Sequence, residues 1–179
     1  FVNTEILQAE GPAGEDYRKR KLLEHYLEPV ALKGDLKVMD VRLLLCLCEK
    51  HEWDSRRELA DFAGITRTNL TSGLQRLTMK GFLKVEEVKE PKPSKKDKTT
   101  GKNKMKTAEM AETKRKERGG RIAVTILPAA DAVMKELEMA QRDYDAARFA
   151  GFTEEELIKY AELSEKIKEN TKNILYFLN

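Results

Sequence analysis

Leu70, Leu74 and Leu77 fall at i, i+4 and i+7 within a stretch that runs from Thr66 to Lys80, the spacing that gathers side chains into one buried stripe of a helix. At about 100° per residue, the same helix carries Thr68, Ser72, Gln75, Arg76 and Met79 on the opposite face. Thr66 supplies an N-cap hydroxyl and Gly81 closes the helix. Just upstream, Ser55 followed by Glu58 has the form of a capping box, so a shorter helix begins at Arg56 and ends about two turns later at Gly64. Ala60 and Gly64, small and four apart, allow the two helices to cross closely. The pattern predicts a helix-turn-helix.

Elsewhere the helical period predicts a helix from Glu15 to Glu28, apolar at Leu22, Leu23, Tyr26 and Leu27 and ended or kinked by Pro29. A second, from Lys37 to His51, has Val38, Val41, Leu44, Leu45, Leu47 and Cys48 and should be the most buried. After Gly81 the period drops to two. Phe82–Val88 and Arg121–Ile126 read as the strands of a β-hairpin wing. Pro128 opens a long helix with Ala130, Val133, Leu137, Ala140, Tyr144 and Ala147 at spacings of three and four, Gly151 breaks it, and Thr153 with Glu156 caps a last helix bearing Leu157, Tyr160, Ser164, Ile167, Thr171, Ile174 and Leu178. The fold class is mainly α with a small β-hairpin: a winged helix-turn-helix (residues 35–127) flanked by an N-terminal helix (1–34) and two C-terminal helices (128–179). Apolar stripes on helices outside a compact helix-turn-helix need a cover, and a second copy of the chain is the economical one. The flanking helices are therefore read as dimerisation helices, and the chain as a homodimer.

Charge adds a partner. The chain of 179 residues has a formal net charge of +3, but residues 89–121 hold 13 Lys and Arg against 5 Asp and Glu, a local net of +8. From Phe62 to Val85 there is no acidic residue at all. Such stretches can approach a polyanion, and double-stranded DNA is the partner that fits a helix-turn-helix. The candidate DNA-binding residues are Thr66, Arg67, Thr68, Asn69, Thr71, Ser72, Gln75, Arg76 and Lys80 of the second helix, with Lys95, Lys96, Lys98, Arg115, Lys116, Arg118 and Arg121 of the wing. The connection across 89–120 is far longer than an ordinary hairpin loop. Its first part, KEPKPSKKDKTTGKNK, is of low complexity, and Thr107–Arg118 has helix-forming composition.

Other chemistries find no support. Two histidines and two cysteines do not form a cluster with metal-ligand spacing, no Gly-rich phosphate loop or nucleophile elbow occurs, and the carboxylates lie on solvated helix faces. The expectation is no enzyme, no catalytic residue, no metal and no cofactor. No run of 18 apolar residues is present, and FVNTEILQAE has neither the basic start nor the long apolar core of a signal peptide. Cys46 and Cys48, two apart on a helix, point away from each other and cannot bridge, which fits a reduced, cytoplasmic protein with buried structural thiols.

The order of elements resembles the MarR family of bacterial transcription regulators. ELADFAGITRTNLTSGLQRLTMKGFLKV is similar to that family's helix-turn-helix stretch, GFTEEELIKYAELSEKIKEN resembles the start of its final helix, and Arg121 falls where the family has the Arg of an Asp-x-Arg wing motif. Two departures stand out. Gly119 occupies the place of the motif's Asp, which leaves Arg121 without its usual local partner, and the wing is about twenty residues longer than is usual there. The resemblance implies a transcriptional repressor or regulator tuned by a small-molecule effector between the dimerisation helices and the winged domain, and the two-fold symmetry of a helix-turn-helix dimer implies a palindromic operator. Tyr17, Tyr26, Trp53 and Tyr144 are the candidate lining groups. The alternative is a DNA-binding adaptor or replication-type winged-helix protein that needs no ligand.

Overall fold

The computed structural model describes residues 11–88 and 120–178, which contain six α-helices and three strands. Contacts divide the chain into two units, one up to Ala140 and one from Gln141. In the first unit, α1 (Pro12–Lys33) starts with Pro12 in its first turn and continues through Pro29, so of the two outcomes expected at that proline, an end or a kink, the end does not occur. A proline inside a helix costs about 3 kcal/mol or more. The residues on either side explain why the helix continues: Leu27, Val30 and Ala31 are all buried, so unwinding at Pro29 would expose the next turn's apolar surface. Gly34 closes α1, its N–H donating to the carbonyl of Val30 at 3.0 Å.

Helix α2 (Val38–Glu49) buries Val41, Leu43, Leu44 and Leu47 and is the centre of the core, as its pattern predicts. Around it pack Leu59 and Ala60 of α3 (Arg56–Ala63), Leu70, Leu74 and Leu77 of α4 (Arg67–Met79), and Val133 and Leu137 of α5 (Asp131–Arg148). Each large apolar side chain fully removed from water contributes about 1.5–3 kcal/mol. The cysteines of α2 correct the expectation of buried thiols: Cys46 is half-buried and Cys48 exposed.

At the start of α3 the Ser55 hydroxyl accepts from the Glu58 N–H at 3.1 Å, as expected. The Glu58 carboxylate accepts from the backbone N–H of Asp54 at 2.7 Å, one residue before the N-cap, and also takes the Lys50 ammonium at 2.6 Å. Partial burial raises the Glu58 pKa, but the hydrogen bonds from Lys50 and Asp54 outweigh it and hold the carboxyl below its ordinary value. A depressed carboxylate contributes stability above its unfolded pKa, and that contribution is lost as pH falls through the folded one. Glu58→Gln should therefore lose stability at neutral pH and show a shallower decline below pH about 4.5 than the unmodified chain. Thermal melting across that range checks it, and parallel pH profiles would remove Glu58 as a contributor.

The sheet has three strands where the sequence predicts two. β2 (Leu83–Glu87) and β3 (Ile122–Ile126) form the antiparallel wing, in register from Leu83↔Ile126 to Glu87↔Ile122. β1 (Glu52–Trp53) pairs with the other side of β3, Glu52 opposite Ala123 and Trp53 opposite Ile122, giving the order β1-β3-β2. Two residues are too short to show an alternating pattern, so the periodicity of the sequence cannot reveal β1.

The second unit comprises the last turns of α5, a turn at Gly151 with φ +83°, and α6 (Glu154–Leu178). Its turn is held by aromatic contacts: Phe149 meets Phe152 and Tyr160 edge-on, with ring centroids 5.4 and 4.9 Å apart, and the Arg148 guanidinium lies over Phe149 and Tyr144. The predicted capping box is complete, with Thr153 N–H donating to Glu156 at 2.8 Å and Glu156 N–H donating to the Thr153 hydroxyl at 3.2 Å. None of the residues of α6 is buried.

Candidate nucleic-acid interface

Helix α4 is presented by the turn before it. Gly64 adopts the left-handed conformation at φ +66°, the Ile65 N–H closes on the Ala60 carbonyl at 3.0 Å, and the Thr66 hydroxyl then accepts from the Asn69 N–H at 3.2 Å. With Leu70, Gly73, Leu74 and Leu77 buried, the helix leaves Arg67, Thr68, Asn69, Thr71, Gln75, Thr78 and Met79 exposed and Ser72 half-buried. The Thr71 hydroxyl is turned back to the Arg67 carbonyl at 3.0 Å. No carboxylate occurs in the first turn of α4. The outward face is therefore polar, uncharged at its centre, and free of the repulsion that a carboxylate would offer phosphate.

Two cationic side chains predicted for this face have partners within the fold. Arg76 forks onto Asp40 of α2, Nε to Oδ2 at 2.9 Å and Nη2 to Oδ1 at 2.7 Å, and Asp40 is completely buried. Donating to Asp40 raises the Arg76 pKa further, so the guanidinium stays charged. Lys80 reaches the exposed Asp35 carboxylate at 3.2 Å. Both lie on the edge of α4 that faces the N-terminal helices.

In the wing, Arg121 does have local partners, which corrects the expectation drawn from Gly119. Its Nη2 is 3.4 Å from Glu52 Oε2 and its Nε 3.5 Å from Asp54 Oδ1. These carboxylates lie on and just after β1, the strand that periodicity does not show. Lys95, Lys96, Lys98, Arg115, Lys116 and Arg118, and the helix expected over 107–118, lie outside the described residues.

The four aromatic residues expected around an effector have different surroundings. Tyr17 is exposed, and Tyr26 is half-buried against the core with its ring edge-on to His25. Nine residues apart on one helix, they are separated by about 13 Å of helical rise. Trp53 is core: it is buried, meets Phe62 edge-on at 5.0 Å, and carries the Lys50 ammonium 4.5 Å above its ring. Tyr144 belongs to the second unit, under Arg148. Burial, with Glu49 adding to it, pushes the Cys46 thiol up to about 11, and the same two causes raise Cys48, so neither is poised as a thiolate. Among the described residues there is no group of three metal-ligating side chains, and no helix long and apolar enough to cross a membrane.

The fold is that of a winged helix-turn-helix protein: a three-helix support, a docked second helix of the helix-turn-helix, and a wing. More particularly, it is the fold of the MarR-type regulators. A MarR-family regulator from Methanosarcina mazei superposes with a TM-score of 0.60 over 90% of this chain and 96% of its own, at 12% identity. One from Silicibacter pomeroyi gives 0.56 over 86% and 84%, at 19% identity. BpsR from Bordetella bronchiseptica, studied for the regulation of its DNA binding by 6-hydroxynicotinic acid, gives 0.52 over 89% and 99%, at 14% identity. No protein-family model matches the sequence, and no curated protein matches it either.

Proposed function

We propose that this chain is a DNA-binding transcriptional regulator that acts as a repressor, working in the cytoplasm as a homodimer on a palindromic operator. The observation that carries the reading is α4. It is docked on its leucine stripe and turns outward a face of Thr68, Asn69 and Gln75 beside Arg67, with no acid from Phe62 to Val85. Thr66, Arg67, Thr68, Asn69, Thr71, Ser72 and Gln75 are the groups we assign to the major groove, and Lys80 and Lys84, which lie on Asp35 and Glu86 in the free chain, those we assign to phosphate. The dimer rests on α6, whose Ile167, Ile174 and Leu178 are 66, 60 and 75% exposed, a surface that a second copy would cover. Control by a small ligand has its precedent in BpsR, and Tyr17, Tyr26 and Tyr144 are the groups left to test for it. The burial of Trp53 in the core favours the second reading, a DNA-binding adaptor without ligand control.

Selection of bound sequences from random DNA tests the assignment. Each well-made base-edge contact is worth about 1–3 kcal/mol of discrimination. Gln75→Ala or Ser72→Ala should change the preferred base at one position in each half-site, whereas Lys84→Ala should weaken all sequences alike. An unaltered consensus from Gln75→Ala would show that this face does not read DNA.

A further inference from the structure

We propose that Asp40 and Arg76 are positioning residues that set the orientation of α4, and that Arg76 acts through Asp40 and not on a base. The proposal rests on the reading of α4 as the DNA-reading helix. Arg76 follows Gln75 directly and stands one turn after Ser72, so any rotation of α4 that moves Arg76 also moves the two side chains assigned to base edges.

The contact joins a buried carboxylate to a half-buried guanidinium at the rim of the core. Asp40 is fully removed from water, and its carboxylate accepts both Nε and Nη2 of Arg76 and the backbone N–H of Lys37 at 3.3 Å. Two parallel bonds to one planar carboxylate fix the guanidinium in direction as well as distance, which a single bond cannot do. One turn earlier, Gly73 lies against the same carboxylate: a Cβ placed there would stand 3.2 Å from Asp40 Oδ1 and 3.3 Å from Leu43 Cδ2. The separation of α4 from α2 is thus set by the close approach at Gly73 and its rotation by the fork at Arg76. One turn later, Lys80 meets Asp35. Positions 73, 76 and 80 form one line along the helix, next to the outward face and distinct from it. An ion pair with one member buried is weak evidence for stability, since apolar residues of similar volume often do as well. It is a strong geometric restraint. Base discrimination by hydrogen bonds depends on distances and angles that a small tilt of the helix spoils.

The test compares operator and random DNA affinities, at one salt concentration, for the unmodified chain and for Asp40→Asn, Arg76→Gln, the double variant and Gly73→Ala. Thermal melting sets a temperature at which each is folded. Gly73→Ala changes no charge and carries the test if Asp40→Asn does not fold. The expected result is a fall of about tenfold in the operator-to-random ratio for each single variant, with the double variant no worse than either parent. A ratio unchanged in Asp40→Asn and Gly73→Ala, whatever happens to the melting temperature, would make the pair structural only and overturn the proposal. So would losses that multiply in the double variant, because Arg76 would then be contacting DNA itself. An unmodified chain that binds no DNA would instead bring down the reading of α4, and the proposal with it.

Discussion

Replacing Ile167 and Ile174 together by aspartate is expected to leave the chain monomeric at micromolar concentration and to weaken operator binding by about two orders of magnitude or more. Both side chains are more than half exposed on α6, seven residues apart, and Leu178 continues the line. Around them the end of the helix is apolar on every side: Ile174, Leu175, Tyr176, Phe177 and Leu178 are all more than half exposed. A helix apolar all round is one that is buried in use. A carboxylate placed in such an interface has no partner and keeps a large desolvation penalty. Loss of the dimer then removes one of two half-sites, about 34 Å apart, from each binding event. Sedimentation of the unmodified protein and of the double variant decides the matter. A monomeric unmodified protein, or a variant that still dimerises, would refute the assignment.

The second large effect concerns the basic wing, which we assign to affinity and not to sequence reading. Deleting Lys92–Lys116 and joining the strands with a short turn should lower the affinity for operator and random DNA by similar factors. It should also flatten the dependence on salt, by about 0.9 in log–log slope for each phosphate that the wing no longer neutralises. The local net charge of +8 over 89–121 is the source of the effect. The sheet should tolerate the deletion, since Glu87 is already paired with Ile122 and the Val88 N–H bonds to the Arg121 carbonyl at 2.9 Å. Arg121 remains in place after the deletion, because Glu52 and Asp54 hold it from β1 and not from the wing. An unchanged slope would refute the clamp, and a loss confined to operator DNA would make the wing a reader of sequence.

What can be read from the chain is what local periodicity encodes. The stripe at Leu70, Leu74 and Leu77 and the caps at Ser55, Thr66 and Thr153 are legible because each depends on residues within two turns of one another. The misses share the opposite property. Pro29 sits inside α1 because Val30 and Ala31 find a distant core, β1 exists only through its pairing with β3, and the fork from Arg76 to Asp40 joins residues 36 apart in sequence. The angular argument puts Arg76 on the outward face together with Ser72 and Gln75. It cannot show that a buried carboxylate waits there on α2. Trp53 reads as available to a ligand for a similar reason: a lone aromatic after a helix gives no sign of whether Phe62 and Lys50 will enclose it.

The short β1 has one more effect, on how copies of this chain can stick to one another. An unpaired strand edge invites any passing strand to add on, the usual route from a small sheet to a fibril. Here β3, the most apolar strand, is central, and β1 shields one side of it with only two residues. The opposite rim is β2, whose Lys84, Glu86 and Glu87 are exposed and charged. Neither rim offers a long apolar template. The sheet therefore does not compete with the pairing we propose through the apolar end of α6, and a two-fold pairing there would close on itself and stop at two.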